Sequence, residues 1–258
     1  MGTDLWWWRG RRGSAALGFT RRDGGSSTGE WSGLNLGAHV GDDPHAVEDN
    51  RAAVLVALQH LSGAARAPRP VFMQQVHGAT VRVLDDAADR AEPAPASDGV
   101  VTALPDVALF TLVADCTPVL LCDDMAGVIG AAHAGRPGML SGVVPATVAA
   151  MRDLGAREIT AVVGPSVCGR CYEVPETMRS EAIATEPVSG SVTWTGTPAI
   201  DVAAGVVEQL RRAGVEITWV PGCSREEPAL YSYRRDGMTG RFAGVIVRPE
   251  PDSAARTS

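Results

Sequence analysis

A chain of 258 residues, 45% hydrophobic and 21% charged, can bury a substantial core, and no apolar run approaches the roughly eighteen residues that a membrane helix needs. Its formal net charge of -7, with no long Lys/Arg run, argues against nucleic acid and against an anionic membrane surface as partners. The N-terminal WWWRGRR is too short and wrongly ordered for a signal peptide, so a cytoplasmic protein is expected.

Residues 1–13 and the tail from about Pro249 read as loosely held, and no internal repeat is visible between them. Asp42 and Asp43 ahead of Pro44 predict a helix running to about Leu61. On that helix Val47, Arg51, Val54, Leu58 and Leu61 share one stripe, which places a guanidinium where an aliphatic is expected. Burying that charge is costly, so Arg51 closes a structural ion pair, reaches a pocket that holds an anionic or polar ligand, or snorkels to the rim.

The strand-like runs VFMQQV, ATVRVLD, DGVVTAL, VALFTLVAD, TPVLLCD, GVIGAAH, EITAVVG, VEITWV and RFAGVIVR follow. Helices are predicted over 139–154, from Pro175 to about Thr185, and over 201–213 with Gly214 as the stop. Short links between several strands favour antiparallel pairing, and the helices must cover at least one sheet face. The fold class is therefore α/β (α+β), a single domain of mixed β-sheets covered by helices.

Chemistry concentrates in a few places. With a turn centred between Asp124 and Met125, the runs 117–122 and 127–133 pair so that Cys116 and His133 lie opposite each other, Cβ atoms about 5 Å apart. A bulge at Gly127 would shift the register by one and send the two side chains to opposite faces. Such a pair can share a metal ion, act as nucleophile and base, or be a buried thiol beside a core histidine. His77 closes MQQVHG just before a glycine turn, with Gln75 two residues earlier and on the same face of an extended strand. Cys168 and Cys171 form a lone C-x-x-C among five cysteines; with no second such pair, reduced thiols rather than a four-thiolate zinc site are expected.

Taken in order, LGFTRRDGG, SGLNLGAHVGDDPHAVEDNR, MQQVHGATV, SDGVVT, LVADCTPVLLCD, AAHAGRPGM, VGPSVCGRCYEV and YSYRRDGMTGRFAGVI resemble the motifs of the laccase-domain family of YfiH/YlmD type, from about Leu17 to Val247. That family is also called multicopper polyphenol oxidase, purine nucleoside phosphorylase-like and peptidoglycan editing factor, and the HAGRPG form is similar to its actinobacterial branch. The resemblance implies a zinc site in a surface pocket, with His77, Cys116 and His133 as ligands and catalytic residues. It further implies that Asn35 and Arg51 face a bound nucleoside, and Gln75 joins them as a substrate-binding candidate. Many members read HAGWRG, whereas here Arg136 stands at the Trp position and Pro137 at the Arg position.

Three protein ligands leave a fourth zinc position open, and the resulting activated water suits adenosine deamination. Phosphorolysis of adenosine- or inosine-type nucleosides needs a bound phosphate, for which Arg51 is the candidate anion holder. Asp98 or Asp115 is a candidate for proton transfer. Copper suits two His and one Cys, but an oxygen-reducing cluster needs many histidines and the chain has five. The alternative enzyme is an amide hydrolase of peptidoglycan precursors with Cys116 as nucleophile; a non-enzymatic reading is a ligand-sensing module. The expected partners are a purine nucleoside and phosphate, acting on a monomer.

Overall fold

The computed structural model describes residues 4–85 and 94–250. The chain opens with the hairpin β1 (Trp6–Arg12) and β2 (Ala15–Thr20), followed by helix α1 (Pro44–Ser62). Strands β3 (Arg69–Phe72), β4 (Val81–Leu84), β5 (Gly99–Thr102), β6 (Val107–Val113), β7 (Thr117–Asp123) and β8 (Val128–Ala134) come next. Helices α2 (Arg136–Leu140) and α3 (Val143–Asp153) lead to β9 (Thr160–Val163), α4 (Glu176–Thr185) and the short pair β10 (Gly190–Val192) and β11 (Pro198–Ile200). The chain then forms α5 (Val202–Arg212), β12 (Glu216–Trp219), α6 (Tyr233–Asp236) and β13 (Phe242–Val247).

Two mixed sheets stack face to face. One has the order β1-β2-β13-β6-β3 and the other β12-β9-β7-β8-β5-β4. Leu17, Phe19, Leu109 and Ile246 of the first meet Val100, Leu120, Ile129 and Val162 of the second in a shared core. The alternate residues of the same strands point outward. Phe110, Ala243 and Val245 pack beneath Val54 and Leu58 of α1, while Val119, Leu121 and Ala132 pack beneath Val144, Val148 and Met151 of α3 and Val206 and Leu210 of α5. Helix, sheet, sheet, helix is thus the layer order. Every residue of β6, β7 and β8 is buried, which is why these strands read as continuous apolar runs instead of alternating ones.

Local chemistry sets the helix ends. Asp43 accepts the N–H of His45 at 3.0 Å, Pro44 takes the first turn of α1, and Gly63 closes it at φ 72°. The helix predicted over 139–154 is two: Gly142, at φ 82°, interrupts it and starts α3. At this break the Met139 carbonyl accepts the N–H of Gly142 at 3.1 Å and the buried Gln209 side chain at 2.9 Å.

Two expectations need correction. Residues 6–12, expected to be loosely held, form β1: Trp6 is buried in the layer under α1, and the Arg11 guanidinium reaches the Leu61 and Ser62 carbonyls at the end of that helix, each at 3.1 Å. Of the expected C-terminal tail, residues 251–258 lie outside the described residues. The β7–β8 register differs by two, because the four-residue loop is 124–127, with Gly127 at φ 66°, and the turn centres one residue later than expected; Pro118 rather than Cys116 opposes His133. A two-residue slip preserves the face, so Cys116, just ahead of β7, still lies on the side of His133. Among the described residues no helix is long and apolar enough to cross a membrane.

Candidate metal centre and its cleft

Strand β5 pairs antiparallel with β8, Gly99 opposite Ala132, so that Asp98, one residue ahead of β5, arrives beside His133. The backbone N–H of His133 donates to the Asp98 carbonyl at 2.7 Å, and its Nδ1 lies 2.8 Å from Asp98 Oδ1. A carboxylate only accepts, so Nδ1 carries a proton and Nε2 is the ring nitrogen left to meet another partner. Asp98 also accepts the N–H groups of Val76 at 3.1 Å, His77 at 3.0 Å and Gly78 at 2.7 Å. One buried carboxylate therefore shapes the QVHG turn and orients His133. Those hydrogen bonds outweigh its burial and hold its acid below the ordinary carboxylate range.

Strand β3 ends at Phe72, not at Val76, so His77 stands in a loop, in left-handed backbone at φ 60°, and its ring crosses that of His133 at 72° with centroids 4.9 Å apart. Its Nε2 lies 3.6 Å from Cys116 Sγ. Cys116 follows Asp115, itself at φ 91°, in the turn between β6 and β7. One donor atom each from His77, Cys116 and His133 lies within 4.8 Å of the others, with His77 exposed, Cys116 half-buried and His133 buried. Gly135 closes the floor: a Cβ there would stand 2.5 Å from His77 Cδ2 and 3.1 Å from Cys116 Sγ.

The electrostatics of the triad are coupled. Burial alone would hold the Cys116 thiol high, but the charge and hydrogen bond of His133, helped by His77, bring it down to about 6. Against its own burial, His133 is raised to about 9 by the Cys116 thiolate and by Asp98. An imidazolium paired with a thiolate is a site in which a cation can replace a proton. Two imidazoles and one thiolate match the donor preferences of zinc, and three protein ligands with one exposed side leave a position open.

The triad lines a cleft of about 630 Å³, within the usual range for small-molecule sites. Gln75 lines it too, although both ends of its amide are engaged by the Leu112 backbone, at 2.7 and 2.8 Å. Asn35 and Arg51 are not among the lining residues. Asn35 is fully buried; its Oδ1 accepts the N–H groups of Gly37 and Arg241, and its Nδ2 donates to Asp42. The Arg51 guanidinium donates twice to the Leu36 carbonyl, at 3.0 and 2.8 Å, and stacks 3.8 Å above the Phe72 ring. Its acceptors are thus structural. Asp98 faces the triad, not the cleft, whereas Asp115 lines the cleft and accepts from Ser224 Oγ and the Arg234 N–H, each at 2.7 Å.

Four cationic or polar groups complete the wall: His39, Arg136, Arg234 and Arg241. Arg136 occupies the Trp position of the HAGWRG pattern and pairs with Glu181 at 3.2 Å. Burial, followed by the charges of Arg241, Arg51 and His133, lowers His39 below the ordinary imidazole range. Arg241 donates to the Thr239 and Gly240 carbonyls and is half-buried, and that desolvation lowers it as well. The aromatic rings of Tyr172 and Tyr233 flank these charges. Arg241 and His39 were hidden in GRFAGV and LGAHVG, and only their position at the mouth of one cleft singles them out. Arg235 and Asp236 form a bidentate pair at 2.8 Å, with further bonds from Arg235 to the Ser224, Glu227 and Leu230 carbonyls, and serve as a structural turn.

Fold and site together define an α/β protein of four layers with an open, two-imidazole and one-thiolate donor set at the base of a cationic cleft. Residues 16–249 match the family model described as multi-copper polyphenol oxidoreductase laccase, and the chain belongs to that family. It is 52% identical over 236 residues to a purine nucleoside phosphorylase of Streptomyces coelicolor, covering 90% of this chain and 95% of that protein. Among solved structures it is similar to YlmD from Geobacillus stearothermophilus, with TM-score 0.82 and 31% identity over 96% of this chain and all of that one. The YfiH protein of Bacillus licheniformis is likewise similar, with TM-score 0.81 and 29% identity over 90% of this chain and 92% of that one.

Proposed function

We propose that the protein is a zinc-dependent purine nucleoside phosphorylase with adenosine deamination as a second activity of the same cleft. The observation that carries this reading is the juxtaposition, in one cavity, of the His77, Cys116 and His133 donor set with the guanidinium of Arg241. The names of the relatives point the same way.

His77, Cys116 and His133 would hold the ion; when bound, zinc supplies a Lewis acid with an open position. Asp98 keeps His133 in the tautomer that presents Nε2, a partner of the kind that raises ligand basicity and fixes ring orientation. Tyr233 and Tyr172, whose ring carries the Arg234 guanidinium 4.5 Å from its centroid, line the cleft as stacking partners for a purine, and the half-buried charge of Arg241 suits a phosphate oxygen better than a solvent-exposed arginine would. In phosphorolysis a phosphate oxygen bonds to ribose C1′ as the bond to the purine breaks, and the base leaves with the electron pair. Arg241 therefore takes over the anion-holding role that Arg51 was expected to fill.

Copper fits less well. Among the described residues the other cluster of potential ligands is three cysteines and a glutamate, so no histidine-rich group stands beside the triad to reduce oxygen.

The test is to incubate metal-analysed protein with adenosine and with inosine, with and without phosphate, and to follow free base, ribose 1-phosphate and inosine. Phosphate-dependent release of base by wild type, abolished with the zinc in Cys116→Ala, is the expected result. Metal-free protein that hydrolyses a muramoyl-amino acid precursor and is inactivated by a thiol reagent would instead establish Cys116 as a nucleophile, a role its lowered thiol also suits.

A further inference from the structure

We infer that Cys168, Cys171, Cys223 and Glu226 form a second, structural zinc site that pins a loop of the cleft wall to the loop packed against it. One donor atom from each of these four side chains lies within 4.8 Å of the others. In sequence only the first pair, C-x-x-C, stands out. The fold supplies the other half as Cys223-x-x-Glu226, a pair with the same spacing in which a carboxylate replaces the last thiol.

The two halves are built alike. In the first turn the Cys168 carbonyl accepts the N–H of Cys171 at 2.9 Å and of Tyr172 at 3.0 Å; in the second the Cys223 carbonyl accepts the N–H of Glu226 at 3.0 Å and of Glu227 at 2.9 Å. Each turn thereby holds its two donors on one side. The parallel pairing of β9 with β12 carries both loops to the same end of the sheet, where Ser166 bridges to Cys223. The N–H of Cys168 points at Cys223 Sγ, 3.5 Å away, and Cys171 Sγ lies 3.3 Å from Glu226 Oε1. Backbone N–H groups directed at sulfur stabilise a thiolate, the form in which cysteine binds metal.

Four converging thiols and carboxylates repel one another once ionised, and a divalent cation relieves that repulsion. Sulfur donors exclude magnesium and calcium, and a closed set of four protein ligands is the pattern of structural zinc. Three thiolates and one carboxylate carry the same charge as a four-cysteine site. Cys171 and Cys223 are buried, Cys168 is half-buried and Glu226 is exposed, so the site is open to an ion from solvent.

The clamp bears on the cleft. Val167 N–H donates to the Asp115 carbonyl at 2.9 Å and Ser224 Oγ to its carboxylate at 2.7 Å, so both clamped loops hold the residue that precedes Cys116. Tyr172, next to Cys171, lines the cleft itself. This inference does not rest on the nucleoside reading, and its test reads metal content rather than turnover.

The experiment measures zinc per chain in protein purified without chelator, for wild type, Cys116→Ala, Cys223→Ser and the double variant. The expected series is about two, one, one and zero ions, with Cys116→Ala showing sulfur at about 2.3 Å and a lighter ligand at about 2.0–2.2 Å in zinc absorption fine structure. Diffraction across the zinc edge on wild-type crystals should show one peak among these four side chains besides one at the triad, which decides the matter even if a variant fails to fold. The inference is overturned if that peak is absent, if Cys116→Ala holds no zinc, or if peptide mapping finds Cys168 joined to Cys223 in a disulfide.

Discussion

Asp98 and His133 are joined twice, carbonyl to backbone N–H at 2.7 Å and carboxylate to Nδ1 at 2.8 Å, and the same carboxylate gathers three N–H groups of the loop that carries His77. Two of the three candidate metal ligands thus depend on one buried acid. Asp98→Asn is expected to weaken zinc binding at the triad about 10–100-fold, read by chelator competition.

The same residue sets an acid limb. Its folded acidity lies below the unfolded value of about 3.9, so its contribution to stability is fully present above that pH and is lost as pH falls through the folded value. Thermal melts of metal-free wild type should therefore drop more steeply below about pH 4 than those of Asp98→Asn. Parallel curves for the two proteins would show that the carboxylate is not held in its ionised form.

Gly135 is required by contact. Because an added Cβ would overlap His77 at 2.5 Å, Gly135→Ala should expel the imidazole and empty the triad while the protein stays folded by circular dichroism. Full zinc occupancy at the triad in this variant would mean that His77 is not placed as described.

Arg241→Met tests the anion site. Hydrogen bonds to charged groups contribute about 1.5–3 kcal/mol, so the phosphate KM should rise on the order of 10–150-fold while the nucleoside KM changes little. Equal effects on both substrates would remove Arg241 from the phosphate.

Asn35→Ala separates a structural amide from a ligand-binding one. It strands the buried N–H groups of Gly37 and Arg241, at about 1–3 kcal/mol each, so a lowered melting temperature with a displaced Arg241 is expected. A raised nucleoside KM at unchanged stability would instead show that Asn35 touches the substrate.

Where the structure departs from the sequence expectations, the reason is local for the hairpin and for β1 and long-range for Arg51. DDMAG does not mark where its turn centres, and a centre one residue later moves the β7–β8 pairing by two, yet the shared face of Cys116 and His133 survives, since it depends only on parity. WWWRGRR did not read as a strand because an edge strand with arginines on its outer side lacks a simple alternation. Arg51 stands on the apolar stripe of α1, and its partners are the Leu36 carbonyl and the face of Phe72, neither of which any spacing reveals.

Periodicity, caps and apolar runs are properties of neighbouring residues, and from them alone follow the mixed α/β class and, to within a residue, the bounds of α1 and α5. What waited on the tertiary structure is every partnership across the chain: Asp98 with His133, Arg241 with the cleft, Cys223 and Glu226 with Cys168 and Cys171. Those are decided by which strands pair and where their loops end, and the free energy that selects such pairings comes from burying both sheets against each other, not from any one segment.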